Sequence, residues 1–176
     1  MVDLAAPPPR TALALLELPG YYPAFPDMDA FVLHRRPNID GTHCRGQGLL
    51  FGGHLEPGET PPEALVRELD EEVGIRIDEP GLGAFLWAGL HRSITSSGAS
   101  VVHDVSVFRV RLQPGTRVAP TEQEGGCAMF VPNHPAYAAP YLIGRRSIAP
   151  LARHVLRSYI LNRGIVSVPT EENVWV

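Results

Sequence analysis

The sequence has little of what would take it out of ordinary globular chemistry. Only two of its 176 residues are cysteines, Cys44 and Cys127, far apart and in no CxxC arrangement. That excludes a disulfide framework and suits free thiols in a reducing compartment, so a cytoplasmic location is expected. No apolar run approaches the ~20 residues that a membrane-spanning helix needs, and no membrane partner is expected. The run Thr11–Leu18 is short, carries Glu17 and lacks a basic flank, so it does not read as a secretory signal. Cationic excess is missing as well. The formal net charge is −4, against the basic balance of a general nucleic-acid backbone binder. A small anionic substrate stays open, because a bound metal inverts the local field whatever the overall charge.

What is there describes a folded chain: 44% hydrophobic and 19% charged residues, at a length that suits one domain over residues 1–176. Residues 1–10, with Pro7-Pro8-Pro9, read as an extended lead-in. Ala12–Leu18 and Ala30–His34 are strand candidates, separated by a loop over Leu18–Asp29 with three prolines and three aromatics. Gly48–Leu55 reads as a short strand breaking into a glycine turn. Thr60–Val73 is the clearest helix: Thr60 suits the N-cap, Pro61 the first turn, Glu63 completes a capping box, and Gly74 stops it. Leu65, Leu69 and Val73 make its buried stripe. Gly83–Leu90, Val101–Leu112 and Ala128–Val131 are further strands, and a C-terminal helix is expected over 147–163. Strands around one central helix, with another helix at the end, predict an α+β fold: a mixed β-sheet sandwiched between helices in a single domain.

At about 100° per residue, Glu68, Glu71 and Glu72 share one arc of the central helix beside its apolar stripe. Like charges at i, i+3 and i+4 repel by roughly a few tenths of a kcal/mol per pair. Glu72 also borders the stripe, where an unpaired carboxylate is partly desolvated. A cation against this face would relieve both penalties, and hard oxygen ligands suit Mg²⁺ or Mn²⁺. Acidic helix faces are common and usually solvated, so the carboxylates alone do not decide the matter.

The spacing around them is more specific. Gly53 is followed by five residues and Glu59, then by seven residues and Arg67-Glu68-Leu69-Asp70-Glu71-Glu72-Val73-Gly74-Ile75. These 23 contiguous residues resemble the Nudix box, Gx5Ex7REUxEExGU, with Leu69 and Ile75 as the two aliphatics and every specified position filled. The resemblance implies the Nudix fold and an Mg²⁺-dependent hydrolase, with Mn²⁺ as an alternative. Such enzymes cleave a phosphoanhydride bond in a nucleoside diphosphate linked to another group. By position, Glu68, Glu71 and Glu72 would bind divalent metal, with the Gly52 carbonyl adding a ligand. Arg67 would orient Glu68, and Glu59 would support Arg67. A homodimer is a family-level expectation.

The general base is left open between Glu68 and a carboxylate on a later loop, where Glu124 has a spacing similar to MutT-type relatives and Glu122 is the alternative. His54, Arg35 and Tyr22 are candidates for substrate contact, with Arg35-Arg36 read as a strand-end pair that meets a phosphate or stays solvated. Tyr21, Tyr22 and Phe25 would stack on a nucleobase or pack their loop onto the sheet. His91, His103 and Asp104 fall in strands and suit structural hydrogen bonds. His43 and Cys44 precede the box without the companions a zinc site needs. Subfamily marks are mostly missing, so the substrate stays open. Two other readings compete: a non-catalytic nucleotide-binding Nudix module, which would usually lack a box carboxylate, and an isomerase of prenyl diphosphates, which would lean on Cys44.

Overall fold

The computed structural model describes residues 7–39, 44–77, 83–94, 99–143 and 147–162. Along the chain come β1 (Arg10–Leu18), β2 (Ala30–Arg35), β3 (Gly48–Leu49), β4 (Phe51–His54) and α1 (Pro61–Val73). They are followed by β5 (Phe85–Ile94), β6 (Ser100–Arg111), β7 (Cys127–Pro132), α2 (Pro135–Ile143) and α3 (Pro150–Leu161). The strands form one mixed sheet whose spine runs β3-β2-β1-β6-β5, with β4 added to β1 and β7 to β2. β1 and β6 run parallel, and the other pairs are antiparallel.

Alternation along the strands makes two cores. On one face Ala12, Ala14 and Leu16 of β1 meet Val32, Phe51, Phe108 and Val110, and all pack under Leu65, Leu69 and Val73 of α1. On the other, Leu15, Phe31, Leu33, Val105 and Val107 pack against Ala138 of α2 and Val155, Leu156 and Tyr159 of α3. The expected sandwich of a mixed sheet between helices is therefore present. Truncating Leu69, which is fully buried, would cost about 2–5 kcal/mol. Among the described residues no helix is long and apolar enough to cross a membrane.

Three local differences from the sequence reading have physical causes. Gly52 and Gly53 do not form a turn; they pair with Leu13 and Ala12 inside β4. A Cβ on Gly52 would stand 2.2 Å from the Ala12 carbonyl oxygen, so glycine is demanded there by close approach to β1. The C-terminal helix begins at Pro150 rather than Ser147, because Gly48 donates to the Ser147 carbonyl and Ala149 donates back to Gly48, holding that segment extended beside β3. Residue 163 lies outside the described residues. Finally, α2 has no counterpart in the sequence reading: it buries only Ala138 and carries Pro140 in its interior, so neither stripe nor propensity announces it.

Candidate active site

The site is assembled on the α1 face, where a well-terminated helix meets a glycine strand. Thr60 caps α1: its hydroxyl accepts from the Glu63 N–H while the Glu63 carboxylate accepts from the Thr60 N–H at 2.7 Å. At the other end Gly74 takes φ +64°, and its N–H reaches the Asp70 carbonyl at 3.0 Å. These ends fix the helix phase, and the phase sets which carboxylates look inward. Ala64, Leu65, Leu69, Glu72 and Val73 are the buried residues of α1. Glu72 thus occupies a core position, 6% exposed. One of its oxygens accepts the Gly52 N–H at 2.7 Å.

Glu68 lies one turn back, against the next residue of β4. A Cβ on Gly53 would sit 2.3 Å from a Glu68 carboxylate oxygen, so this glycine makes room for the acid. Arg67 holds the acidic loop and helix together. Its Nε and Nη2 donate to the two oxygens of Glu59 at 2.9 and 3.1 Å, a bidentate fork. Nη1 donates to Glu68 at 2.9 Å and to Glu71 at 3.2 Å, and Nη2 also reaches the His54 carbonyl at 3.0 Å. Arg67 is held well above its ordinary pKa, chiefly by Glu59, and Glu59 is held below its own by Arg67 and then by the Glu56 N–H.

Glu124 approaches from the loop between β6 and β7, with Arg36 at 4.0 Å from its carboxylate. A ligand atom from each of His34, Glu72 and Glu124 lies within 4.8 Å of the others. Burial, followed by the nearby charges of Glu124 and Glu68, pushes the Glu72 carboxyl up to about 7, against the lowering effects of the Gly52 N–H and Arg36. The loop alternative, Glu122, is exposed.

His34 was not among the sequence candidates. It is 1% exposed, its ring stacks on Phe51 with centroids 5.8 Å apart, and its Nε2 lies 2.9 Å from the Gly125 carbonyl oxygen. Burial lowers its pKa and favours the neutral ring. One signal was available: His34 shares strand parity with Val32 on the α1 face, a polar residue where β2 otherwise points apolar groups inward.

The three substrate candidates lie elsewhere. His54 pairs with Thr11, which pairs with Val105, so its side chain lies on the α3 face, its ring 5.5 Å from that of His103. Arg35 donates to the Gly46 carbonyl at 3.2 Å, and its neighbour Arg36 is the one beside the carboxylates. Tyr22 is directed toward α2, where burial first, then Tyr141 and Tyr21, push its hydroxyl up to about 12. It is Tyr21 that reaches the α1 face, stacked on Phe130 at 4.2 Å between centroids. His103 meets Ser93 Oγ at 3.1 Å, within the sheet. Burial pushes the Cys44 thiol up, which disfavours the thiolate a nucleophile requires. His43 lies outside the described residues.

A family model for the NUDIX domain matches residues 23–147. The chain belongs to the Nudix family. Its Nudix box is the segment Gly53–Ile75 just described. Among curated relatives, the nucleoside triphosphatase NudI of Enterobacter sp. (strain 638) is 58% identical over 33 residues, which is 19% of this chain and 23% of that protein. An uncharacterized Nudix hydrolase of Rhodococcus erythropolis, orf19, is 39% identical over 49 residues, 28% of this chain and 26% of that one. The chain thus spans about a quarter of the length of these two relatives. Across the whole fold it is similar to the MutT protein of Methanosarcina mazei Go1, with TM-score 0.65, 18% identity, and coverage of 92% of this chain and 99% of that one.

Proposed function

We propose that this Nudix protein is a divalent-metal-dependent pyrophosphohydrolase acting on a nucleoside diphosphate linked to another group, a nucleoside triphosphate foremost. The observation that carries the reading is Glu72: a buried carboxylate with Glu68 and Glu124 near it and, among the described residues, one backbone N–H donating to it and no cation within ion-pair distance. Such a group is costly unless a cation or a proton joins it. The donors are hard oxygens, which fits Mg²⁺ or Mn²⁺ better than a softer metal.

Glu68, Glu71, Glu72 and the Gly52 carbonyl would hold the metal, with Glu124 completing the set. A bound ion would neutralise charge on the bridging phosphate oxygens and make a nearby water easier to deprotonate. The chain's own residues do the rest. Arg67, fastened to Glu59, keeps Glu68 at a fixed angle, and second-layer pairing of that kind sets ligand geometry. Glu124 or Glu68 takes the proton from the attacking water. Arg36, half-buried beside Glu124, suits the negative phosphate chain, and the outer face of Tyr21 suits a nucleobase. The triphosphate preference rests on the short, strong match to NudI. Two free thiols, Cys44 and Cys127, suit a reducing compartment such as the cytoplasm.

The test is a release assay with Mg²⁺ across nucleoside triphosphates, nucleotide sugars, ADP-ribose and dinucleoside polyphosphates, with and without chelator. Chelator-sensitive turnover of at least one class is expected. Failure on every class at high protein concentration would leave only a nucleotide-binding role for the domain.

A further inference from the structure

The loop that delivers Glu124 is pinned at two points, and one of them is His34. The turn closes on itself where the Gly125 N–H donates to the Thr121 carbonyl at 3.0 Å. Thr121 then fastens it to the end of α1: its N–H donates to the Glu72 carbonyl at 2.7 Å and its hydroxyl to the Glu71 carbonyl at 3.2 Å. On the opposite side the Gly125 carbonyl meets His34 Nε2 at 2.9 Å. The next residue, Gly126, has φ +78°, and a Cβ there would stand 2.2 Å from the Arg35 carbonyl oxygen and 3.1 Å from His34 Nε2. The loop is therefore pressed flat onto the end of β2, with the imidazole directly beneath its backbone.

An apolar side chain would fill the His34 position, between Val32 and Phe51, at no polar cost. Among the described residues the buried imidazole is compensated by one hydrogen bond, and that bond goes to the residue following Glu124. We propose that His34 is a positioning residue: by donating from Nε2 to the Gly125 carbonyl it holds Glu124 against Glu72 and so completes the carboxylate set. This rests on the proposed metal-dependent reading of the site. An Nε2 that donates to the Gly125 carbonyl carries a proton and cannot bind a metal, while Nδ1 keeps its lone pair; the positioning role therefore predicts that no ring nitrogen is a ligand, which the nitrogen measurement below tests.

Mn²⁺ binding to the substrate-free protein, followed by electron paramagnetic resonance, tests this apart from turnover. His34→Phe keeps the stack on Phe51 and removes the donor. It should weaken Mn²⁺ binding and lower kcat by about 10- to 100-fold, the usual range for loss of a supporting partner, with KM little changed. His34→Gln, which restores an N–H donor, should recover most of the loss. In the Glu124→Gln background, His34→Phe should add less than twofold. Electron spin-echo spectra of wild-type protein with ¹⁵N-histidine should lack a directly bound nitrogen, and this arm needs no folded variant. Four results would overturn the proposal: wild-type Mn²⁺ affinity in His34→Phe, full additivity with Glu124→Gln, wild-type affinity in Glu124→Gln itself, or a bound histidine nitrogen. Absence of hydrolysis with normal Mn²⁺ behaviour would instead count against the proposed function and leave the positioning role standing.

Discussion

Two glutamates are buried among the described residues, one on each face of the sheet, and their surroundings are opposite. Glu17 of β1 is 2% exposed and faces α3; Arg111 lies 3.1 Å and Arg109 3.6 Å from it, and the Asn133 amide donates to it at 3.2 Å. Arg111 is shared with Asp29 at 2.8 Å, and Arg109 donates to the Tyr159 hydroxyl. Glu72 of α1 is 6% exposed and faces the other way. Among the described residues no cation lies within ion-pair distance of it; Glu124 and Glu68 act on it as like charges, with the His34 ring beside it and Arg36 further off. The first is a neutralised cluster that joins β1, β6 and the Leu18–Asp29 loop. The second is an acidic pocket whose missing partner is positive. Burial alone does not separate structure from function; the inventory of countercharges does.

The sharpest way to separate the two is to remove each charge in turn. Glu72→Gln should lower turnover by roughly a thousandfold or more, the scale expected when a metal ligand is lost, while the fold persists. Glu17→Gln should do the reverse: kcat near wild type and a loss of stability. A broken buried pair costs about 3–5 kcal/mol. Here the arginines are 32% and 48% exposed, so about 1–3 kcal/mol is expected in urea unfolding.

Stability against pH sharpens the contrast. The folded-state pKa of Glu72 is raised to about 7 from 4.5. A carboxyl raised in this way holds its proton longer in the native state. Its contribution is therefore fully present below pH 4.5 and is lost as pH rises through about 7. With chelator, unfolding free energy should fall over that window by on the order of 1–3 kcal/mol relative to Glu72→Gln, and saturating Mg²⁺ should abolish the fall.

How much of this was legible in sequence depends on how local each feature is. α1, its Thr60–Glu63 box and its Gly74 stop are written within one turn of where they act, and the structure has all three. The Arg67 fork to Glu59 joins residues eight apart across the helix start, and the family pattern carries it. Long-range placement was not readable. Gly52 and Gly53 looked like a turn because nothing local says that Ala12 and Glu68 press against them. His54 and Tyr22 were reasonable contacts by position, but strand parity turns His54 to the far face, and the loop sends Tyr21 to the near one. His34 escaped because its partner, Gly125, lies 91 residues away.

Smaller effects should follow from the supporting residues. Arg67→Lys keeps the charge but loses the fork, and should cost about 10- to 100-fold in kcat with little change in unfolding. Gly53→Ala places a methyl on the Glu68 carboxylate and should weaken metal binding less, since a side chain can yield where backbone cannot. Thr60→Ala should cost about 1 kcal/mol of stability and lower the rate less than Arg67→Lys, because the Gly74 stop and the buried Leu65, Leu69 and Val73 still hold the helix phase.

The contrast between Glu72 and Glu17 comes down to a single titration: Mn²⁺ into wild-type, Glu72→Gln and Glu17→Gln proteins without substrate. Wild-type and Glu17→Gln proteins should bind with matching affinity, and Glu72→Gln at least about tenfold more weakly. Equal affinity in all three would mean that the buried acid under Gly52 is not where the cation goes.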